Sequence, residues 1–463
     1  MFRPTSRLLA MATLCWLAVI VAACPVPTRA AGPEELGLRQ AIQQALADNH
    51  SLRAGAQGLA AMGEDVGVAR SMLLPKLTFE ERFMRTTNPV YGFMAKLNEQ
   101  RFGAQDFAIP ALNSPDALND YQTSFSLEQP LFAPQANIGL TMSRNAAAAG
   151  RHEFDRKKEE VVLQVAQAFL MVRTATSYTE VAEKGRHDAE EHARIAGHRY
   201  ENGLGLYSDT LRATTAVTEA EQRLVSAKKN LDVAQRALGM LLGLEQSVTA
   251  ATEDGLDLPV ADLARYTDAG RQRRDLLAMQ LRQSNASQNV KLAKAGYLPN
   301  IGVGATYQLN DHDQPFGGEG ESWQVGAFLK WQLFNGMGRE HERSKALYQK
   351  AAADEYLHAM EMGVSYKVYE AYRGVEEAGK NAELAQAALK TAEEGARLVE
   401  VRYENGLSPM VDLLDAQLSL DHARAMTVAS KNNYRIAVFT LCYESGTIFQ
   451  DLGINESSPE EQE

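Results

Sequence analysis

The side chains able to do chemistry are few and scattered. His187 and His192 stand five apart with acids between them, and the triplet Asp311-His312-Asp313 sits in a polar loop with no partner near it in sequence. Histidines five apart do not share a helical face, and neither pattern has the spacing of a metal-ligand set. The histidine pair therefore reads as solvated surface. No phosphate-cradling glycine loop and no nucleophile motif occurs, so the expectation is no enzyme and no cofactor, with energy supplied by a partner. Cys15 and Cys24 lie in or beside an N-terminal leader and leave Cys442 alone, so no disulfide is expected. A net charge of −12 argues against nucleic acid.

What would position any site is a repeat. Arg-Tyr-Glu-Asn-Gly-Leu occurs at 199–204 and again at 402–407, an offset of 402 − 199 = 203 residues. Asp209-Thr210-Leu211-Arg212-Ala213 lies over Asp412-Leu413-Leu414-Asp415-Ala416, Pro130-Leu131-Phe132 over Gln332-Leu333-Phe334, and Leu74-Pro75 over Leu298-Pro299. The period is too long for a solenoid or propeller. It reads as one fold unit used twice, residues 31–255 and 256–463, after a leader at 1–30.

In each copy the apolar spacing predicts a short helix, a strand pair, a long helix and a second short helix. The helices fall near 38–72, 138–200 and 208–242, then near 263–295, 339–403 and 411–441. At ~1.5 Å per residue the long ones run roughly 95–100 Å and the short ones roughly 50 Å. Their Ala, Gly, Ser and Thr content suits close helix packing of the coiled-coil sort. Helices alone leave a pore-free periplasmic coiled-coil scaffold as an equal alternative.

The strands add the missing constraint. Over 323–334, Trp323, Val325, Ala327, Leu329, Trp331 and Leu333 share one face against Ser322, Gln324, Gly326, Lys330 and Gln332, with Phe328 the exception. Residues 301–309 alternate likewise, as do those near 77–83 and 124–131, giving hairpins over 76–132 and 300–334. An apolar face ending in Trp323 and Trp331 is the pattern of a membrane β-strand with an aromatic girdle. Four strands cannot close alone, and an open sheet edge in hydrocarbon costs several kcal/mol per unpaired group. Copies must pool strands under cyclic symmetry. A dimer gives eight and a trimer twelve, and a wide bore favours three.

The leader has Arg3 and Arg7 before an apolar stretch at 8–23. Two processing sites remain open: Thr28-Arg29-Ala30, cut before Ala31, and Val21-Ala22-Ala23-Cys24, which would lipidate Cys24. Cys24 to Leu38 reaches at most about 50 Å, barely enough to meet a bilayer, which tilts toward plain cleavage. The loop 88–121 is expected outside the barrel, 243–262 as an irregular link, and 455–463 as an acidic tail.

Export, duplication, hairpins ahead of long helices, and the stretch Arg-Tyr-Glu-Asn-Gly-Leu-Ser-Pro-Met-Val-Asp-Leu-Leu-Asp-Ala-Gln (402–417) together resemble the TolC-like outer membrane factor family. Leu127-Glu128-Gln129-Pro130-Leu131-Phe132 is similar to its strand-to-helix passage. The resemblance implies a mainly α fold with membrane β: a homotrimeric tube, four strands per chain pooled into a twelve-stranded barrel in outer-membrane lipid, and an α-helical barrel crossing the periplasm of a Gram-negative cell. It implies a passive exit duct that docks on a periplasmic adaptor and an inner-membrane pump of RND or ABC type. The cargo would be small toxic compounds or, alternatively, polypeptides in type I secretion. Carried over by residue, it puts Asp412 and Asp415, three apart on one helical face, in a pore constriction. Tyr403, Ser208 and Asp209 match an entrance latch, while Ser408 stands where some members have a basic residue. Gly203, Leu204, Gly406 and Leu407 match the turns that meet the adaptor. For each leucine the alternative is a side chain tucked on its own helix pair, and for Asp412 a helix-start acid.

Overall fold

The computed structural model describes residues 34–251 and 258–454. The leader, Cys24 and the acidic tail lie outside them. In chain order the elements are β1 (Glu34–Leu36), α1 (Leu38–Asp48), α2 (His50–Ser71), β2 (Lys76–Thr86), α3 (Pro89–Asn98), α4 (Ile109–Asn113), β3 (Leu118–Phe132), α5 (Pro134–Glu201), α6 (Tyr207–Leu241) and β4 (Val248–Ala250). Then come α7 (Leu263–Gly270), α8 (Arg274–Ala295), β5 (Asn300–Asp311), β6 (Gly320–Lys330), α9 (Gly338–Glu404), α10 (Met410–Ser445) and α11 (Ile448–Leu452). Corresponding helices match in length: 22 residues in α2 and α8, 68 in α5 and 67 in α9, 35 in α6 and 36 in α10.

Four expectations need correction. The single helix near 38–72 is two, because Asn49 leaves the helical region and its Oδ1 accepts the Ser51 and Leu52 N–H groups at 2.9 and 3.2 Å, capping α2. The helix near 263–295 is likewise broken at 271–273. The strand expected over 323–334 stops at Lys330, leaving Trp331 outside it. Its partner β5 begins at Asn300, opposite Lys330, so nothing is left to pair, and Arg339 takes the Gln332 and Leu333 carbonyls at 2.7 Å each. The link 243–262 is not wholly irregular: Val248–Ala250 pairs in parallel with Glu34–Leu36.

The chain forms two compact units. One holds residues 34–44, 165–251 and 387–432, with the C-terminal part of α5, all of α6, and the α9–α10 turn. Its core draws on Val165, Phe169, Val172, Ala213, Ala220 and Leu238, all fully buried. On α6 the larger apolar residues Leu211, Val225 and Val233 are exposed and small alanines are buried.

The other unit carries the sheet, whose order is β2-β3-β5-β6 and wholly antiparallel. Register sorts its faces. Phe79, Phe125, Tyr307 and Trp323 stand opposite one another across all four strands. Leu77, Leu127, Ala305 and Val325 make the next row on that face. The reverse face is polar, with rows Thr78-Ser126-Thr306-Gln324 and Glu80-Ser124-Gln308-Ser322. Among the described residues Phe316 stacks on Phe79, and the apolar face otherwise stays largely open: Trp323 is 76% exposed, and Leu77, Phe79 and Val325 are exposed too. Phe328, the exception in the alternation, lies over Gly302, where any Cβ would come within 2.4 Å of its ring. Both edge strands, β2 and β6, are open, with 11 residues each. Among the described residues no helix is long and apolar enough to cross a membrane. Arginine at Val325 is expected to cost about 2–4 kcal/mol per chain at mid-bilayer depth, read as a lower urea midpoint in lipid vesicles. The same change on the polar face, at Gln324, is expected to leave that midpoint nearly unchanged.

A buried ionic knot holds the end of α10 in this unit. Arg156 donates to Glu159 at 2.6 Å and to the Tyr443 carbonyl at 2.7 Å, with its guanidinium 3.6 Å from the Tyr443 ring centre. Arg273 pairs with Asp275 at 2.7 Å and donates to the Glu444 carbonyl at 3.0 Å and carboxylate at 2.9 Å. Two arginines thus satisfy carbonyls that a helix end leaves orphaned. Burial alone would raise the Asp275 carboxyl, but the Arg273 hydrogen bond and charge outweigh it and hold it below the ordinary carboxylate range. A depressed carboxylate stabilises fully above its unfolded value, near 3.9, and that contribution is lost as pH falls through the folded value. The thermal midpoint is therefore expected to drop below about pH 4, with a flatter acid limb in Asp275→Asn.

Candidate functional site: the paired helix tips

The α5–α6 and α9–α10 turns are built alike because the repeated hexapeptide spells a helix end. In the first, Leu204 N–H donates to the Arg199 carbonyl at 2.8 Å and Gly203 N–H to that of Tyr200 at 3.0 Å. In the second, Leu407 N–H donates to Arg402 at 2.8 Å and Gly406 N–H to Tyr403 at 3.0 Å. This double closure needs a left-handed residue at the glycine, and Gly203 and Gly406 have φ of 71° and 74°. Asn202 and Asn405 each donate back to a carbonyl four residues earlier, at 2.7 Å. Leu204 and Leu407 are 71% and 70% exposed, so neither is tucked on its own helix pair.

One side chain fastens the two turns together. Arg199 Nη1 donates to the carbonyls of Tyr403 and Glu404 at 3.1 and 3.0 Å, and Nη2 to that of Leu204 at 3.3 Å. Its guanidinium lies 5.2 Å from the Tyr403 ring centre. A cation on the carbonyl end of α9 is favoured by the helix dipole as well as by the hydrogen bonds. Beneath it Ala196, Ala213, Tyr403, Met410 and Leu413 form a small core. Arg199 did not stand out in sequence, although the repeat marked it: its counterpart Arg402 is exposed and, among the described residues, makes no ion pair or side-chain hydrogen bond.

Tyr403 is 4% exposed, and burial raises its hydroxyl above the ordinary tyrosine value, with Asp209 adding to the rise and Arg199 opposing it. Asp209 is thus in electrostatic reach of Tyr403, and Ser208 is exposed in the first turn of α6. Asp412 and Asp415 are both exposed, on the face of α10 opposite Leu413. Ser408 Oγ donates to Asp412 Oδ2 at 2.8 Å, so the serine orients this carboxylate. Farther up, His192 is buried with neither ring nitrogen hydrogen-bonded, against the expectation of solvated surface. Helical spacing explains it: Gly185, Ala189, His192 and Ala196 recur at four, three and four, the buried stripe of α5.

The outer membrane efflux protein model matches residues 41–244 and 266–444. The chain belongs to that family. Outer membrane protein TolC of Salmonella enteritidis is 23% identical over 433 residues, covering 90% of this chain and 83% of that protein. The alkaline protease secretion protein AprF of Pseudomonas aeruginosa is 22% identical, covering 89% and 85%. The Campylobacter jejuni CmeC outer membrane channel has the same fold, with a TM-score of 0.75 at 15% identity over 92% of this chain and 88% of its own. As an outer membrane efflux protein, the chain resides in the Gram-negative outer membrane and extends into the periplasm.

Proposed function

We propose that the chain is the outer-membrane exit duct of a tripartite efflux system, working as a homotrimer. Three copies of the four-stranded sheet would close a twelve-stranded barrel, and the paired tips would form the periplasmic entrance. The observation that carries this reading is a sheet with one apolar, uncovered face and two open edges, which lipid tolerates only when neighbours seal it. A pore-free scaffold has no use for such a sheet. Long apolar residues left exposed on α9, among them Tyr348, Tyr356, Met362 and Tyr366, supply a face for the neighbouring chain. The duplicated halves fit this role, each giving a hairpin to the barrel and a turn to the entrance.

At the entrance Asp412 and Asp415 from three chains would place six carboxylates around the axis, a ring that attracts cations and repels anions. Asp209 and Ser208 would complete the latch with Tyr403. Arg402 would do for the neighbour's first turn what Arg199 does for the second turn within the chain. The exposed Leu204 and Leu407 would seat the hairpin tips of a periplasmic adaptor, which couples the duct to an inner-membrane pump. The cargo we favour is small toxic compounds. Type I secretion is the second reading, because one relative's name is that of a protease secretion protein. Deleting the gene tests both: sensitivity to small toxic compounds supports efflux, and loss of a secreted polypeptide with unchanged sensitivity supports secretion.

A further inference from the structure

The loop between β5 and β6 gathers side chains that conduction does not use. Asp311, His312 and Glu319 each offer a donor atom, and the three atoms lie within 4.8 Å of one another. His312 Nδ1 lies 2.5 Å from Glu319 Oε2, and its Nε2 lies 3.2 Å from Asp313 Oδ2. Asp311 Oδ1 accepts the Asp313 and Gln314 N–H groups at 2.8 and 3.0 Å. Its Oδ2 lies against Gly317, where a Cβ would come within 2.0 Å. The loop thus fixes one carboxylate and leaves its second oxygen free of these backbone bonds.

A second observation points to a ligand. Glu99, just past α3 in the first outer loop, is 1% exposed, and its Oε1 has no hydrogen-bond partner. Its other oxygen pairs with Arg101. Burial raises the Glu99 carboxyl, Arg101 opposes the rise, and the His312 charge also acts on it. The two loops touch: a Cβ on Gly320 would sit 1.8 Å from the Asn98 carbonyl oxygen and 3.0 Å from the Glu99 carbonyl carbon. Glu319 is the residue just before Gly320. An orphaned, buried carboxylate oxygen is costly, and a cation beside it removes that cost.

We propose that Asp311, His312 and Glu319 bind a divalent ion of the zinc class, with water completing its coordination and the buried Glu99 carboxylate of the adjoining loop within electrostatic reach. An imidazole among carboxylates selects zinc over calcium, which asks for six to eight oxygens. Donors on a tetrahedral zinc ion stand roughly 3.3 Å apart, so the ion parts the His312–Glu319 pair slightly and keeps both where they are. Bound there, it ties the two ends of the β5–β6 loop together and rigidifies that end of the sheet.

Untagged full-length protein in detergent, stripped with a chelator and carrying Asp412→Asn and Asp415→Asn to remove the other carboxylate cluster, is titrated with zinc chloride by calorimetry. One ion per chain is expected, undisplaced by a hundredfold excess of calcium. His312→Ala and Glu319→Gln should each weaken binding at least tenfold, and cobalt(II) should give visible tetrahedral bands that both variants lose. Zinc should also raise the thermal midpoint of the parent and not of the variants. Equal zinc affinity in parent and variants, or displacement by calcium, overturns the proposal. If His312→Ala fails to fold, Glu319→Gln alone decides.

Discussion

Replacing Asp412 and Asp415 with asparagine is expected to raise the trivalent-cation concentration that half-blocks the reconstituted channel by at least about a hundredfold, ~2.7 kcal/mol. The two carboxylates lie exposed one turn into α10, and Ser408 holds the first by a 2.8 Å hydrogen bond. Even at bulk-water screening, unit charges 4 Å apart interact by about 1 kcal/mol, and in the proposed trimer a trivalent ion on the axis would meet six of them. Asparagine keeps size and hydrogen bonding, so the entrance should keep its shape. Block should change while open-channel conductance for monovalent ions falls only modestly. Ser408→Ala should shift block in the same direction by a few-fold, because it frees Asp412 without discharging it. An unchanged block in the double variant would remove these residues from the constriction.

Arg199→Ala is expected to loosen the entrance in every chain. It removes three donors from carbonyls of Tyr403, Glu404 and Leu204 and a cation from the Tyr403 ring. Unpaired helix-end carbonyls near a buried tyrosine cost about 1–3 kcal/mol. Conductance should rise several-fold, and the thermal midpoint should fall. Arg402→Ala separates the two kinds of clasp. Among the described residues its guanidinium has no such contact, so the variant should raise conductance with little change in the stability of the fold. If Arg402→Ala leaves conductance at the wild-type level, the entrance is held without the inter-chain clasp.

Long-period features were readable from sequence because they rest on local physics. Helical spacing placed α5, α6, α9 and α10 within a few residues of their ends, and period-two alternation found the four strands of the antiparallel sheet, though not β1 and β4. Contacts made by a distant partner were not readable. The end of β6 is set by where β5 begins and by Arg339, not by the alternation that continues to Leu333. The aromatic row Phe79-Phe125-Tyr307-Trp323 exists only once register is known. Asn49 could have been found, since asparagine is among the strongest helix caps, but the apolar spacing ran through it. At the tips the repeat flagged glycine and leucine, yet Arg199 gained its meaning from carbonyls 204 and 205 residues away. His192 shows the converse: its residue type suggested surface, while its place in a stripe of small residues buries it.

The sharpest test is the stoichiometry of the purified protein by native mass spectrometry in detergent or lipid discs. Three chains in one assembly, which also opens ion-conducting pores in planar bilayers, is the predicted outcome. A single chain that stays monodisperse in detergent-free buffer would contradict it, because the sheet's bare apolar face and unpaired edges would then need no neighbour.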